Sequence, residues 1–376
     1  VIAVPQAKVL QSKYLLIGST RAGSGKSATV LGLGIHLLAR GIEIAYGKPL
    51  GTFTSRNLPD SAQSLEADVE FINQVLMLPE THLRPTLLNL DKNTLKNRLL
   101  GEDTTDYTAL LRQYRQENCG DLVLIEAPAN TAEGAVFGLS LQEMSDCLDA
   151  PILLVMRFGA LLVVDHVLVA KERLGDRLLG VVINDIPLAQ IDTGIEILAP
   201  YLESQGIPVL AMMPENRILR SVSVAEVIEQ LDASVHYRPE HISLNDLMIE
   251  ELMIGAMDVN SAQTFFRKSH SKAVITGSNR FDIQLAALET STNCLILTGP
   301  PMVKPEILQR AAELDVPVLS VSHDTLTTVK IIEGCLGQVR LHEGIKVNCI
   351  SDMMAKHFKF DRLLQLLDLK PDRKPV

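Results

Sequence analysis

Lys26 and Ser27 close the stretch GSTRAGSGKS (Gly18 to Ser27), a run of small residues between an apolar segment, YLLIGS, and one with helical spacing. That order suits a phosphate-binding loop. Small residues let the chain curl so that successive backbone N–H groups point at phosphate oxygens, and the following helix turns its positive end to the same place. Lys26 would reach the β- and γ-phosphates, and the Ser27 hydroxyl would ligate magnesium. Thr20, Gly23, Ser24, Gly25 and Ala28 supply the rest of the cradle. Strict eight-residue spacing would put a glycine at Thr20, so the stretch fits better a variant loop in which a basic residue, here Arg21, precedes the glycines. Arg21 is either a contact to a γ-phosphate, in its own subunit or across a dimer, or a surface arginine beside the loop.

Four residues outside the loop suit the same chemistry. Glu126 ends the apolar run DLVLIE, where a carboxylate can orient magnesium or its water. Lys48 in YGKPLGTF ends a second apolar run, and the C-terminal ends of parallel strands are where such sheets hold ligands. Asp68 in LEADVEF could complete the magnesium shell, or it is a first-turn acid favoured by its helix dipole. Asn184 in GVVINDIP could read an adenine edge through its amide, or it is a turn residue before Pro187. Farther on, Thr276 to Arg280 could cradle an anion or form a capped turn, and Ser322 to Thr325 reads as a helix cap.

These residues need elements to hold them. Apolar strands at Tyr14–Ser19, Ile42–Pro49, Asp121–Glu126, Pro151–Met156, Leu179–Asn184 and Val209–Met213 alternate with helices over Ser27–Arg40, Ser64–Leu76 and 221–231. The pattern predicts an α/β fold: a mostly parallel sheet with helices on both faces, followed by a second, smaller α/β domain. In that domain strands are expected at Ala273–Thr276, Cys294–Thr298 and Pro317–Ser320, with helices near 282–289, 304–314 and 325–334. The polar, proline-containing HYRPEHIS breaks the periodicity and reads as a linker. The resulting domains are 1–235, a linker at 236–245, 246–360, and a tail at 361–376.

Composition bounds the rest. A chain of 376 residues exceeds one hydrophobic core, and 47% hydrophobic with 21% charged residues is ordinary for a globular protein. A net charge of −10 argues against nucleic acid as a general partner. No apolar run is long enough to span a membrane, and a cytoplasmic protein is expected. Five scattered cysteines without a CxxC pair read as reduced thiols.

In order along the chain, STRAGSGKSA, KPLG, ADVEFINQVLML, LVLIEAP, VVIND and VLAMMPENRIL resemble the dethiobiotin-synthetase-like P-loop family, as it occurs at the N-terminus of long bacterial phosphotransacetylases. LMIGAMDVNSAQTFF, KAVITGSNRFDIQLAALET and CLILTG resemble the DRTGG domain that follows in those proteins. The resemblance implies an ATP and magnesium site. Lys26 and Ser27 would hold phosphate and metal, Lys48 and Thr52 would line the second-substrate side, Asp68 and Glu126 would ligate magnesium, and Asn184 would face adenine.

The sequence departs from the family where Ala127 and Pro128 follow the acid in place of a glycine-rich stretch, and where the DRTGG signature reads Ser278 to Asp282. The long phosphotransacetylases carry a catalytic acyltransferase domain beyond these two, and the present residues are expected not to transfer acetyl groups by themselves. Three functions are consistent with these residues: a nucleotide-sensing regulator with at most weak ATPase activity, an ATP-dependent ligase that activates a carboxylate or carbamate, and a scaffold with a structural nucleotide. A homo-oligomer is expected in each case, and a separately encoded acyltransferase is a natural partner for a scaffold.

Overall fold

The computed structural model describes residues 12–52, 61–116, 119–300, 302–336 and 343–370. Its first sheet has seven strands: β1 (Lys13–Ser19), β2 (Ile44–Gly47), β3 (Leu83–Arg84), β4 (Leu122–Glu126), β5 (Ile152–Arg157), β6 (Leu178–Ile186) and β7 (Val209–Pro214). They lie in the order β3-β2-β4-β1-β5-β6-β7, and every pairing is parallel. Leu15, Leu16, Ile17 and the whole of Leu122–Ile125 are fully buried, as strands covered by helices on both faces must be. The edge strand β3 is only two residues long and carries no apolar run, which is why periodicity did not reveal it.

Helix α1 (Lys26–Leu38) leaves the end of β1, and α2 (Ser61–Leu76) follows β2. The expected strand Ile42–Pro49 is shorter than its apolar pattern. It ends at Gly47, and Leu50–Thr52 pairs separately with Leu88–Leu90.

The contacts divide the chain into two units, 1–215 with 350–376, and 216–349. The division differs from the expected boundary at 235 because the helix Val224–Leu231 does not close the first sheet. Its buried Val224, Val227 and Leu231 share a core with Ala273, Ile275, Ile296 and Leu319 of the second unit. That unit holds a five-stranded sheet of β8 (Ser234–Tyr237), β9 (Glu251–Ile254), β10 (Lys272–Gly277), β11 (Thr292–Thr298) and β12 (Val318–Val321), in the order β8-β12-β11-β10-β9. All pairs are parallel except β8 with β12. The linker expected at 236–245 therefore begins inside a strand. β8 is an antiparallel edge strand whose Ser234, Val235 and His236 are exposed, so its polar sequence imitates a loop.

The expected second domain to 360 and free tail from 361 are also revised. Residues from Ile350 onward belong to the first unit, and Phe360–Leu366 is a helix there. Phe358 bridges Ala211, and the Lys359 backbone N–H donates to the Leu210 carbonyl at 2.8 Å. The Arg40 guanidinium lies 4.3 Å from the Phe360 ring centre, and His36 Nε2 donates to the Ser351 carbonyl at 2.8 Å. Gly32 lets this segment approach: a Cβ there would stand 2.5 Å from Met354 Cγ. Residues 371–376 lie outside the described residues.

Candidate functional site

From β1 the chain runs to β2 and β3 on one side of the sheet, and after β4 it crosses to β5, β6 and β7 on the other, so the crevice at the C-terminal end of β1 is the place where open parallel sheets bind ligands. The loop after β1 and the ends of β2, β4 and β6 meet there. Gly25 at φ 98° and Gly23 at φ 70° give the loop its left-handed turns. Gly25 is also the N-cap of α1, and no side chain caps the helix, so its first backbone N–H groups keep no intrahelical acceptor. Those donors and the helix dipole face one point, as an anion site requires.

Lys26 is only 9% exposed, and its Nζ donates to Ser19 Oγ at 3.1 Å. Ser19 Oγ lies in turn 2.9 Å from the Ala129 carbonyl and 3.0 Å from the Arg21 carbonyl. Ser24 Oγ donates to the same Arg21 carbonyl at 2.8 Å, which tightens the loop. Arg21 itself is exposed and Thr20 half-buried, while Ala28 sits half-buried in the first turn of α1.

Glu126 is 4% exposed at the end of β4, and Ser27 Oγ donates to its Oε1 at 2.8 Å. The Tyr46 hydroxyl donates to Oε2 at 3.2 Å, and Lys48 Nζ stands 3.8 Å from Oε1. Two cis ligands of an octahedral magnesium ion at ~2.1 Å would be about 3 Å apart. The Ser27–Glu126 spacing fits that donor pair, so these two oxygens are the ones that would hold the ion.

Three sequence expectations meet other circumstances. Asn184 is half-buried on β6, and its Nδ2 donates to the Ser24 carbonyl at 3.0 Å, bracing the loop from below. Asp68 lies in α2 but not in its first turn, since the helix begins at Ser61; its side chain is outside the described residues. Thr52 ends a short strand, and its side chain is likewise outside them. Sequence reasoning missed Ser19, Tyr46 and Glu133. Ser19 and Tyr46 look like strand residues, and only the position of Ser19 just before the loop could have flagged it. Glu133 is seven residues beyond Glu126 and comes back through the turn at Asn130, whose Oδ1 accepts the backbone N–H groups of Ala132 and Glu133 at 3.0 Å each. The Glu133 carboxylate accepts the Ala129 backbone N–H.

Burial holds the Lys26 ammonium below the ordinary lysine value of 10.5; Glu126 opposes that depression, Lys48 adds to it, and Glu133 opposes it. Bound phosphate would raise the value, so the complex retains a proton that the free protein gives up. Affinity for ATP is therefore expected to fall as pH rises through the depressed value, beginning below 10.5. Calorimetry across alkaline pH checks this: a Lys26→Arg protein, whose guanidinium does not titrate there, should lose the slope.

Among the described residues no group of three or more His, Cys, Asp or Glu side chains is arranged to hold a metal, and no helix is long and apolar enough to cross a membrane. All five cysteines are free thiols, three of them buried.

The chain is similar over residues 13–223 to the AAA domain family and over 226–335 to the DRTGG domain. It is 23% identical over 385 aligned positions to the phosphate acetyltransferase of Nitratidesulfovibrio vulgaris, covering 96% of this chain and 53% of that protein. The chain thus spans about half the length of that relative. Among solved structures, the MinD cell division protein of Aquifex aeolicus matches 55% of this chain and 83% of its own at 17% identity and a TM-score of 0.34. The CBS and DRTGG domains of the regulatory region of Clostridium perfringens pyrophosphatase, solved with the activator diadenosine tetraphosphate, match 46% of this chain and 85% of theirs at 17% identity and a TM-score of 0.29. With its loop, acid and parallel sheet in one unit and a second sheet in the other, the chain belongs to the dethiobiotin-synthetase-like AAA family of P-loop domains, joined here to a DRTGG domain.

Proposed function

We propose that the chain is a magnesium–ATP-binding regulatory module that controls an acyl-transfer activity of the phosphate acetyltransferase kind. The observation that carries the reading is the set of contacts around Glu126: Ser27, Tyr46 and Lys48 converge on one buried carboxylate at the mouth of an uncapped helix. This convergence supports the reading, because phosphate and magnesium would then bind with little rearrangement.

In this reading the backbone N–H groups of the loop and Lys26 bind the phosphates. Magnesium, held by Ser27 and Glu126, neutralises phosphate charge. Tyr46 and Lys48 keep the Glu126 carboxylate oriented, and Asn184 keeps the Ser24 peptide fixed. The likeness to half of a phosphate acetyltransferase supports acyl transfer as the activity under control. The DRTGG unit is the natural element to respond to nucleotide state.

Calorimetry with magnesium and ATP, with phosphate release assayed on the same samples, tests the reading. Binding with little release is the expected result. Release stimulated by a small carboxylate or amine would overturn the regulatory reading in favour of a ligase. Arg21, exposed at the loop, gives a second check. Arg21→Ala should lower any residual ATPase rate more than it lowers affinity, and equal losses would remove a transition-state role.

A further inference from the structure

We propose that the second unit carries a site of its own for a phosphate group, free or borne on a small molecule, around Ser278 and Gly299 at the ends of β10 and β11. The inference goes beyond the nucleotide reading and stands apart from it, since none of its residues belongs to the first unit.

The topology makes a crevice there. The helices Val259–Phe266, Phe281–Leu288 and Pro305–Glu313 bury Phe266, Ile283 and Ile307 with Val274, Leu295 and Leu297 on one face of the sheet. The helix Thr325–Cys335 buries Val329 and Ile332 with Ile275, Ile296 and Leu319 on the other. The chain therefore leaves β11 toward one face and β12 toward the opposite one. The gap between two such loops, beyond the carboxyl ends of the strands, is where open parallel sheets take ligands. Its two walls meet where Thr298 Oγ1 and Thr325 Oγ1 lie 2.9 Å apart.

Two hydrogen-bond donors are left open at this place. Gly255 and Ser278, just beyond β9 and β10, donate their backbone N–H groups to the Ile275 and Thr298 carbonyls of the neighbouring strands at 2.8 and 2.9 Å. Gly299, just beyond β11, turns away at φ 95°, and among the described residues its N–H makes no such bond. Ser278 is only 3% exposed, yet among the described residues its hydroxyl has no partner, although a buried hydroxyl ordinarily finds one. That hydroxyl looks onto open space over Gly299: a Cβ built there would meet Ser278 Oγ at 3.6 Å and nothing else within 4 Å. Gln284 Nε2 donates to the Gly277 and Ser278 carbonyls at 3.0 and 3.1 Å, which fixes the turn that presents the hydroxyl.

The charge suits an anion. The helix that follows Ser278 begins at Phe281 without a side-chain cap, so its positive end is open. Lys304 Nζ lies 3.8 Å from the Phe281 ring centre and has no carboxylate partner among the described residues. The acids on these loops are engaged: Asp282 accepts from Arg280 Nε at 3.3 Å, and Asp324 accepts the Thr327 N–H at 2.9 Å. Hydroxyl, backbone N–H, helix start and ammonium are donors that a phosphate group, with its several acceptor oxygens, uses together.

The test uses the whole chain carrying Lys26→Ala, which cripples the phosphate loop of the first unit. It is titrated by calorimetry with inorganic phosphate and, separately, with glycerol 3-phosphate, and should take up at least one of them saturably. Adding Ser278→Ala should weaken that uptake about tenfold, through loss of one hydrogen bond to a charged group, and adding Lys304→Ala should weaken it as well. Because the hydroxyl has no partner in the fold, Ser278→Ala should melt within about 4 °C of its parent. Tighter uptake of glycerol 3-phosphate would assign the site to a phosphorylated small molecule, and equal or tighter uptake of the inorganic ion would assign it to free phosphate; either upholds the proposal. Uptake of neither probe, uptake unchanged by Ser278→Ala, or a larger fall in melting temperature overturns it. A chain with Lys26 intact that bound no ATP would sink the nucleotide reading and leave this inference standing.

Discussion

A Lys26→Ala protein is expected to bind magnesium–ATP about 100-fold more weakly than the parent, because it loses a charge-assisted contact to phosphate worth about 3 kcal/mol. Lys26 is buried, and its ammonium is held below the ordinary value by that burial, so the free protein gains little from it. Glu126 keeps Ser27, Tyr46 and Lys48 as partners when Lys26 is removed. The melting temperature without nucleotide should accordingly move by no more than about 4 °C, while the upward shift that ATP gives the parent disappears. Calorimetry and a thermal melt on the same sample separate the two. Undiminished affinity would show that the nucleotide does not lie on this loop.

Gly25→Ala is expected to cost at least as much in binding, by another route. At φ 98° an alanine is strained by about 1–3 kcal/mol, and its Cβ would fall 2.3 Å from Asn184 Nδ2. Asn184 cannot retreat without releasing the Ser24 carbonyl it holds at 3.0 Å. The loop then loses the curl that aims its N–H groups, and ATP binding should fall below detection by calorimetry. Pairing it with Asn184→Ala distinguishes the causes. If the double variant recovers part of the affinity, collision with the amide was the larger effect. If it recovers none, the left-handed backbone was.

How much of this was legible in the sequence depended on how local each cause was. The P-loop could be read because strand, small-residue turn and helix follow one another within the same short segment, and Glu126 because four apolar residues run into it. The placement of Asn184 at the site followed from its strand end, but its contact did not: the Ser24 carbonyl is 160 positions away in the chain. Glu133 was invisible for a related reason, since an acid after Asn130 and Thr131 looks like any solvated loop. The boundary between the units was misplaced because polarity was read as looseness. Ser234 to Tyr237 is polar since it is an edge strand open to solvent, and Val224, Val227 and Leu231 are apolar for a core that forms later in the chain.

The return of residues 350–369 to the first unit also orders events during synthesis. The face of α1 that carries Gly32 and His36, with Arg40 just beyond its end, is exposed on the ribosome until Met354 and Phe360 have emerged. All of the second unit is made before then. The nucleotide-binding unit is therefore begun before the second unit and completed after it, and between those moments an uncovered helix face is open to chaperones or to the same segment of a neighbouring nascent chain.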